Sequence, residues 1–340
     1  MSLLYAGIDL HSNNNYIGII DSNDEKVFKH KYSNDAALVI EGLFPFKDKL
    51  QGVVIESTYN WYWLVDALME SGYSVHLAHP AANQQYKGLK FSDDQRDAFW
   101  LAHLFRLGLL REGYIYPKEE RPIRDLLRKR GQLVRQRTTH ILSFQNLYSR
   151  NTGKQMKGHQ VKSLKLEDFT QWQLEEDLIL AMSSNLFLTK QLSQQIKILE
   201  KQVFSKCQLK EEFELLKTVN GIGNILALTI MLETGNIERF DNVGNYVSYC
   251  RCVSSQRFSN GKKKGQGNAK NGNKYLNWAF VEAATCAIQF NEKANRFYHR
   301  KKSKMNGTVA KKALAHKLAR ACYFIMRDQV SFDEEKLFAA

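Results

Sequence analysis

Over the first 35 positions the apolar residues recur with a period of two, and beyond them the period lengthens to that of a helix. Tyr5–Leu10 (YAGIDL) and Tyr16–Asp21 (YIGIID) flank the polar stretch Ser12-Asn13-Asn14-Asn15, which predicts a hairpin. Lys26–Tyr32 (KVFKHKY) alternates and predicts a third strand. Asp35–Leu43 reads as a helix, and Gly52–Glu56 (GVVIE) as a buried strand that closes on an acid. Trp61–Ser71 is a second amphipathic helix, Tyr73–His79 a fifth strand, and Asp94–Leu107 a third helix with an apolar stripe. Strands that alternate with helices after an antiparallel start imply an α/β unit, a mixed sheet covered by helices.

The pattern then becomes wholly helical. Pro122 is well placed to open a helix over Arg121–Arg150, where Leu127, Val134, Ile141 and Tyr148 recur every seven residues. Glu167–Val203 carries Leu188, Leu192, Ile196, Leu199 and Val203 at spacings of three and four. The two tracts predict a long helical arm, read either as a projecting coiled coil suited to self-association or as a solvated helix pair within one subunit. The polar segment Asn151–Lys165 between them is the candidate hinge. Leu215–Leu232 (LLKTVNGIGNILALTIML) has the form helix, V-N-G-I-G, helix. In a helix–hairpin–helix, Gly221 and Gly223 would let the chain turn tightly and aim N–H groups at a phosphate; a bare turn is the plainer reading. Tyr275–Gln289 and Val309–Arg327 predict two further helices, so the second half is all-α. The expected division is an α/β domain over 1–115, a basic helical and coiled-coil region over 116–210, a helical domain over 211–328, and a tail over 329–340.

Composition sharpens this. Hydrophobic residues at 44% and aromatics at 11% fit a folded chain of 340 residues. The five cysteines have no regular spacing, and Cys250-x-Cys252 lacks a second ligand pair, which points to a reducing compartment and away from zinc. No charged leader and no bilayer-length apolar window are evident, so a cytoplasmic protein without a membrane partner is expected. The net charge of +14 is unevenly placed: residues 1–110 hold 9 Lys+Arg against 13 Asp+Glu, and the rest holds 40 against 22. An acidic part joined to a basic part is the asymmetry of a metal site joined to a polyanion site. Arg124, Arg128 and Arg135 on the first long helix, with Lys129, Arg130 and Arg137, are candidate nucleic-acid contacts. Arg300, Lys301, Lys302 and Lys304 near the end form another basic run.

Four acids carry the candidate chemistry. Asp9 lies inside an apolar strand, where a charge is costly unless compensated. Glu56 ends the fourth strand, and Asp94 and Asp97 share one face of the third helix. Taken singly, Asp94 reads as an N-cap and Glu56 as a turn residue. Taken together at one sheet edge they repel one another unless divalent cations, Mg²⁺ or Mn²⁺, sit among them and polarise a phosphodiester. Asp93 adjoins this set.

The stretch from Phe258 to Lys274, FSNGKKKGQGNAKNGNK, is a separate puzzle. Lys262, Lys263, Lys264, Lys270 and Lys274 can line a polyanion channel, and its glycines allow close backbone approach. Ser259 heads it with no adjacent histidine, so a hydrolase triad is not supported. Linker, phosphate grip and seat of a nucleophile all stay open on these residues alone.

The words G-I-D at Gly7–Asp9, I-E at Ile55–Glu56 and D-x-x-D-A at Asp94–Ala98, with STYNWYWLVDAL, HPAANQQYKGLKFSDDQRDA and LAHLFRLGLL, resemble the DEDD-type insertion-sequence transposases, the insertion sequence 110 family, 1111 subgroup. Gly221–Gly223, Ser259–Lys264 and Gly272–Leu276 match the family's second block in order, so the resemblance runs from about Tyr5 to Asp328. It implies an RNase H-like, RuvC-like domain of the Holliday-junction-resolvase type that holds Mg²⁺ through Asp9, Glu56, Asp94 and Asp97. It also implies a serine, here Ser259, that becomes joined to DNA. Many relatives have a proline a few residues before that serine where this chain has Ser254-Ser255, which keeps those two as competitors. The expected partners are double-stranded donor and target DNA, a guide RNA encoded by the element, and further copies of the chain as a dimer or tetramer. Without a G-x-x-x-x-G-K-S/T phosphate loop, no ATP is expected. The alternatives are a metal-dependent, structure-specific endonuclease that cuts with water, and a binding scaffold with an inactive metal site.

Overall fold

The five apolar runs at the start of the chain become the strands of one sheet in the computed structural model, which describes residues 2–80, 83, 94–172, 174–208, 210–255, 257–265 and 271–338. The strands are β1 (Leu4–Leu10), β2 (Asn14–Asp21), β3 (Lys26–Ser33), β4 (Leu50–Glu56) and β5 (Val75–Ala78). Their order is β3-β2-β1-β4-β5, antiparallel over the first three and parallel from β1 through β4 to β5. Helices α1 (Ala36–Leu43), α2 (Tyr62–Glu70) and α3 (Asp94–Arg106) complete this unit, Met1–Lys118. The mixed sheet with helices matches the expected α/β class, and each element falls within a few residues of its predicted place.

Helix α3 packs unusually close to the sheet. A Cβ on Gly7 of β1 would stand 2.0 Å from the carbonyl oxygen of Ala98 and 2.8 Å from the amide nitrogen of Ala102. Only glycine permits that approach. Beyond it, Arg106 and His103 in the last turn of α3 bind Asp24 in the β2–β3 turn, with Arg106 Nε and His103 Nδ1 at 2.8 and 2.9 Å. These ties set both the depth and the direction of α3.

Among the described residues, the second unit, Glu119–Ala340, is helical apart from one hairpin. Helix α4 (Arg121–Thr152) runs alongside α6 (Glu176–Cys207), and the short α5 (Gly158–Ser163) lies between them in sequence. Three expectations from the sequence do not hold. Residues 151–165 are no free hinge: Val161 is fully buried with Phe144, Phe169, Met182 and Leu186 in a small core of its own. The long tract also begins later than predicted, since Leu166–Gln171 is a 3-10 turn. Nor does Leu188 belong to the seam, because it is exposed; the inward positions are Met182, Leu186, Thr189, Ile196, Val203 and Cys207. Polar residues fill the gaps between them, with Arg130 bound to Glu200 at 2.8 Å and Arg137 to Ser193 at 3.3 Å.

Helices α7 (Glu211–Lys217) and α8 (Asn224–Thr234) form the hairpin motif. They are followed by α9 (Val243–Tyr249), strands β6 (Arg257–Ser259) and β7 (Lys262–Gly265), α10 (Lys274–Phe290), α11 (Glu292–Lys302), α12 (Gly307–Asp328) and α13 (Glu334–Phe338). Alanines at 279, 283, 284 and 287 make α10 a smooth, buried helix at the centre of the largest core. Cys250 and Cys252 are buried in that same core, and burial pushes the Cys252 thiol up to about 12.

Gly221 is where the hairpin meets α10. Its φ is +96°, and a Cβ there would lie 2.5 Å from the carbonyl oxygen of Ala283. Left-handed strain and a backbone clash act together, so Gly221→Ala is expected to lower stability by about 2–4 kcal/mol in urea unfolding. Gly223, the N-cap of α8, has open space around it.

Candidate active site

The acids are brought together by β1, β4 and α3. Asp9 is buried near the end of β1, at 3% exposure. Glu56 is the last residue of β4, the parallel neighbour of β1, and is half-buried. Asp94 and Asp97 lie in the first turn of α3. Asp93 and Lys270 lie outside the described residues.

Burial raises the Asp9 carboxyl from 3.8 to about 6, partly offset by His11 and reinforced by Glu56, Asp97 and Asp94. Burial likewise raises Glu56, with Asp97 adding to it and His11 opposing it. A folded protein does not gather mutually repelling carboxylates without something to gain from them.

The sequence reading missed His11. Its Nε2 sits 3.1 Å from an Asp9 oxygen and 3.2 Å from an Asp94 oxygen, too poorly aligned to hydrogen-bond either. That nitrogen is buried and has no hydrogen-bond partner among the described residues. One donor atom from each of Asp9, His11 and Asp94 lies within 4.8 Å of the other two. A nitrogen set 3.1 and 3.2 Å from two carboxylate oxygens, with no hydrogen bond to either, fits a cation held by all three. The position of His11 is fixed through its backbone: its carbonyl accepts from Asn34 Nδ2 and Asn60 Nδ2, both at 2.9 Å, and Asn60 Oδ1 accepts from Thr58 at 2.8 Å.

The titration has a consequence with a definite sign. With Asp9 at about 6 in the folded chain and 3.8 as its ordinary value, the metal-free protein holds a proton there that the unfolded chain releases. This group therefore favours the folded state below about pH 4, and that advantage fades as pH rises to about 6. Above it the Asp9 carboxylate stands ionised and ready for a cation. Mg²⁺ or Mn²⁺ should accordingly raise the melting temperature more at about pH 7.5 than at about pH 5, measured against a chelated sample.

The second unit holds the remaining candidates. Ser259 is exposed at the end of β6, paired with Lys262 across a two-residue turn. Asn260 and Gly261 have φ of +48° and +70°, the positive values that a tight type I′ turn demands. The expected loop is thus a β-hairpin at its start, with Lys262 and Lys264 exposed on β7 beside the serine and Lys263 opposite Phe258. The hairpin's stem is held where Arg251 donates twice to the carbonyl of Gly272, at 2.9 and 2.6 Å, and Asn273 N donates to Tyr249 O at 2.6 Å.

Of the basic residues, Arg135 and Lys274 are exposed and Arg124 is half-buried. Arg128 is turned inward. Its Nε and Nη2 bind the two carboxylate oxygens of buried Glu233 at 2.6 and 2.7 Å, and its guanidinium lies 4.6 Å from the Tyr275 ring. Burial opposes its charge, but the Glu233 hydrogen bonds outweigh that and hold it above the usual arginine value. Asn273 Nδ2 donates to the same carboxylate at 2.7 Å and its Oδ1 caps α10. The basic helix, the hairpin motif and the end of the glycine-lysine tract meet at Glu233.

A mixed sheet in this order, with acids at the ends of adjacent parallel strands and on the helix against them, is an RNase H-like arrangement, the frame of enzymes that cut or transfer nucleic-acid strands. Two family models match the chain: one described as Transposase, of the DEDD type of IS110, over residues 6–149, and one described as Transposase IS116/IS110/IS902 family over residues 213–299. The chain belongs to the IS110 family of transposases, enzymes that cut and rejoin DNA. The family implies use of a divalent metal. No curated protein matches the chain. Among the described residues, no helix is long and apolar enough to cross a membrane.

Proposed function

We propose that this transposase cuts and rejoins DNA through a phosphoserine intermediate, with its acids holding Mg²⁺ or Mn²⁺. The observation that carries the reading is the gathering of Asp94, Asp97, Glu56 and the His11 nitrogen around the buried Asp9. Asp9, His11, Asp94, Glu56 and Asp97 would hold the metal, which when bound neutralises charge on the scissile phosphate. An imidazole donor among carboxylates suits Mn²⁺ better than Mg²⁺.

Ser259 attacks the phosphorus through Oγ. A serine–phosphate ester forms, one phosphorus–deoxyribose oxygen bond breaks, and the serine proton ends on the departing hydroxyl. A later attack by a DNA hydroxyl reverses these steps, so bond energy is conserved and no nucleotide is consumed. The exposed lysines 262 and 264 beside Ser259 favour its alkoxide and hold the phosphate near it. Ser254 and Ser255 lie outside the hairpin strands, which supports Ser259 as the nucleophile.

Residues 1–115 would supply the metal site, 116–210 the arm, and 211–328 the serine. Exposed Leu180, Phe187, Leu188 and Ile198 on α6 favour self-association into a dimer or tetramer. The excess of 40 basic over 22 acidic residues beyond position 110 would accommodate donor and target DNA together with an element-encoded guide RNA. Such a protein acts in the bacterial cytoplasm.

The test uses the full chain with element-end RNA, Mg²⁺ and labelled donor and target DNA. A DNA adduct that survives denaturation in wild type and is absent from Ser259→Ala is the expected result. Cut DNA with no adduct, unchanged by Ser259→Ala, would identify a metal-dependent endonuclease instead.

A further inference from the structure

Helices α4, α8 and the start of α10 line an open cavity of about 390 Å³ within the second unit. This is large enough to take a small planar ligand. Leu127, Val134, Ile225 and Trp278 give it apolar walls.

Its charges divide into two sets. Arg128 and Glu233 neutralise each other, with Asn273 satisfying the same carboxylate, and Arg130 is bound to Glu200. Arg135 and Lys274 are the exposed cations of the lining, and neither has an ion-pair partner among the described residues. The uncompensated charge of the cavity is therefore positive, which favours an anionic ligand and disfavours a cationic one.

The aromatic residues divide in the same way. Tyr275 is engaged, with Arg128 at 4.6 Å and the Lys274 ammonium at 5.2 Å from its ring. Trp278 is 43% exposed and makes no ring or cation contact among the described residues. An uncovered indole beside an apolar cavity with spare cations is the set of groups that receives a nucleobase and its phosphate.

We infer that this cavity takes one unpaired nucleotide of a DNA strand, with the base stacked on Trp278 and the adjoining phosphate held by Arg135 and Lys274. The inference rests on the chain acting on DNA and is independent of Ser259. Unpaired nucleotides arise whenever strands are cut and exchanged, so such a pocket would hold a displaced strand end in register between the two steps.

The test measures fluorescence anisotropy of the full chain with four probes: a mixed-sequence single-stranded DNA oligomer, the same backbone made of abasic sites, the matching duplex, and an RNA oligomer of the same sequence. Trp278→Ala should weaken binding of the base-bearing single strand about tenfold, or about 1.4 kcal/mol, and leave the abasic strand and duplex unchanged. Trp278→Phe should restore most of the loss, which a merely unfolded variant could not do. Arg135→Ala should weaken single-strand and abasic probes alike and reduce the slope of log K against log salt by about 0.7. Equal losses on base-bearing and abasic strands in Trp278→Ala, or no loss, would overturn the inference. A base-dependent preference for an RNA oligomer over the DNA one would overturn the assignment to DNA. The adduct assay on Ser259 tests a different atom, so either result can fail without the other.

Discussion

Asp9→Asn is expected to lower DNA strand cleavage about a thousandfold and yet to raise the melting temperature of the metal-free protein. The first effect follows from position. Asp9 is the buried member of the cluster, and one of its oxygens lies within 4.8 Å of a donor atom from each of His11 and Asp94. Metal ions supply several kcal/mol of transition-state stabilisation, and each 1.4 kcal/mol is tenfold in rate. The second effect follows from electrostatics. The carboxyl is raised to about 6 because burial and neighbouring acids oppose its charge, and a neutral amide of the same shape removes that opposition. The stabilisation should be present above about pH 6 and absent below about pH 4, where Asp9 is already protonated. Cleavage assays with Mg²⁺ and melting curves with chelator check the two halves. Loss of activity with a lowered melting temperature would mean that Asp9 is structural.

Gly7→Ala should produce a comparable loss of activity without touching an acid. The new methyl would meet the Ala98 carbonyl at 2.0 Å, and backbone cannot rotate away as a side chain can. Helix α3 must therefore shift off the sheet by the depth of a methyl group, taking Asp94 and Asp97 away from Asp9. Overpacking of this kind costs about 1–3 kcal/mol in stability. Its larger effect falls on metal affinity, which depends on donor distances held to a few tenths of an ångström. Titration with Mn²⁺ followed by its electron paramagnetic resonance signal should show weakened binding while the far-UV spectrum stays native. Unchanged Mn²⁺ binding would show that α3 tolerates the shift.

Much of the first unit was legible because its signals are local. Period-two runs mark β1 to β3, and an acid inside or at the end of an apolar run, as at Asp9 and Glu56, stands out on a single reading. His11 could not stand out. It follows Leu10 in a polar turn, and what makes it notable is Asn34 and Asn60, which hold its carbonyl from 23 and 49 residues away. The helical arm hides its register for a related reason. Its seam admits Thr189, Ser193 and Glu200, so in the sequence an outward leucine such as Leu188 reads as a core position. In the glycine-lysine tract the Asn260-Gly261 turn signal was present but lacked the alternating apolar flanks that usually confirm a hairpin.

The stem beneath the Ser259 hairpin has an evolutionary consequence. Because Arg251 and Tyr249 fasten directly to Gly272 and Asn273, the chain leaves the helical scaffold and returns to it at one point. Closing a flexible loop twice as long costs only about 0.6 kcal/mol more. Insertions and deletions between the two ends of that stem can therefore accumulate with little penalty to the fold. Under the proposed serine chemistry, the reach of Ser259 can thus drift from one element to another while the scaffold beneath it stays constant, so the way DNA is engaged can change without relearning how to fold.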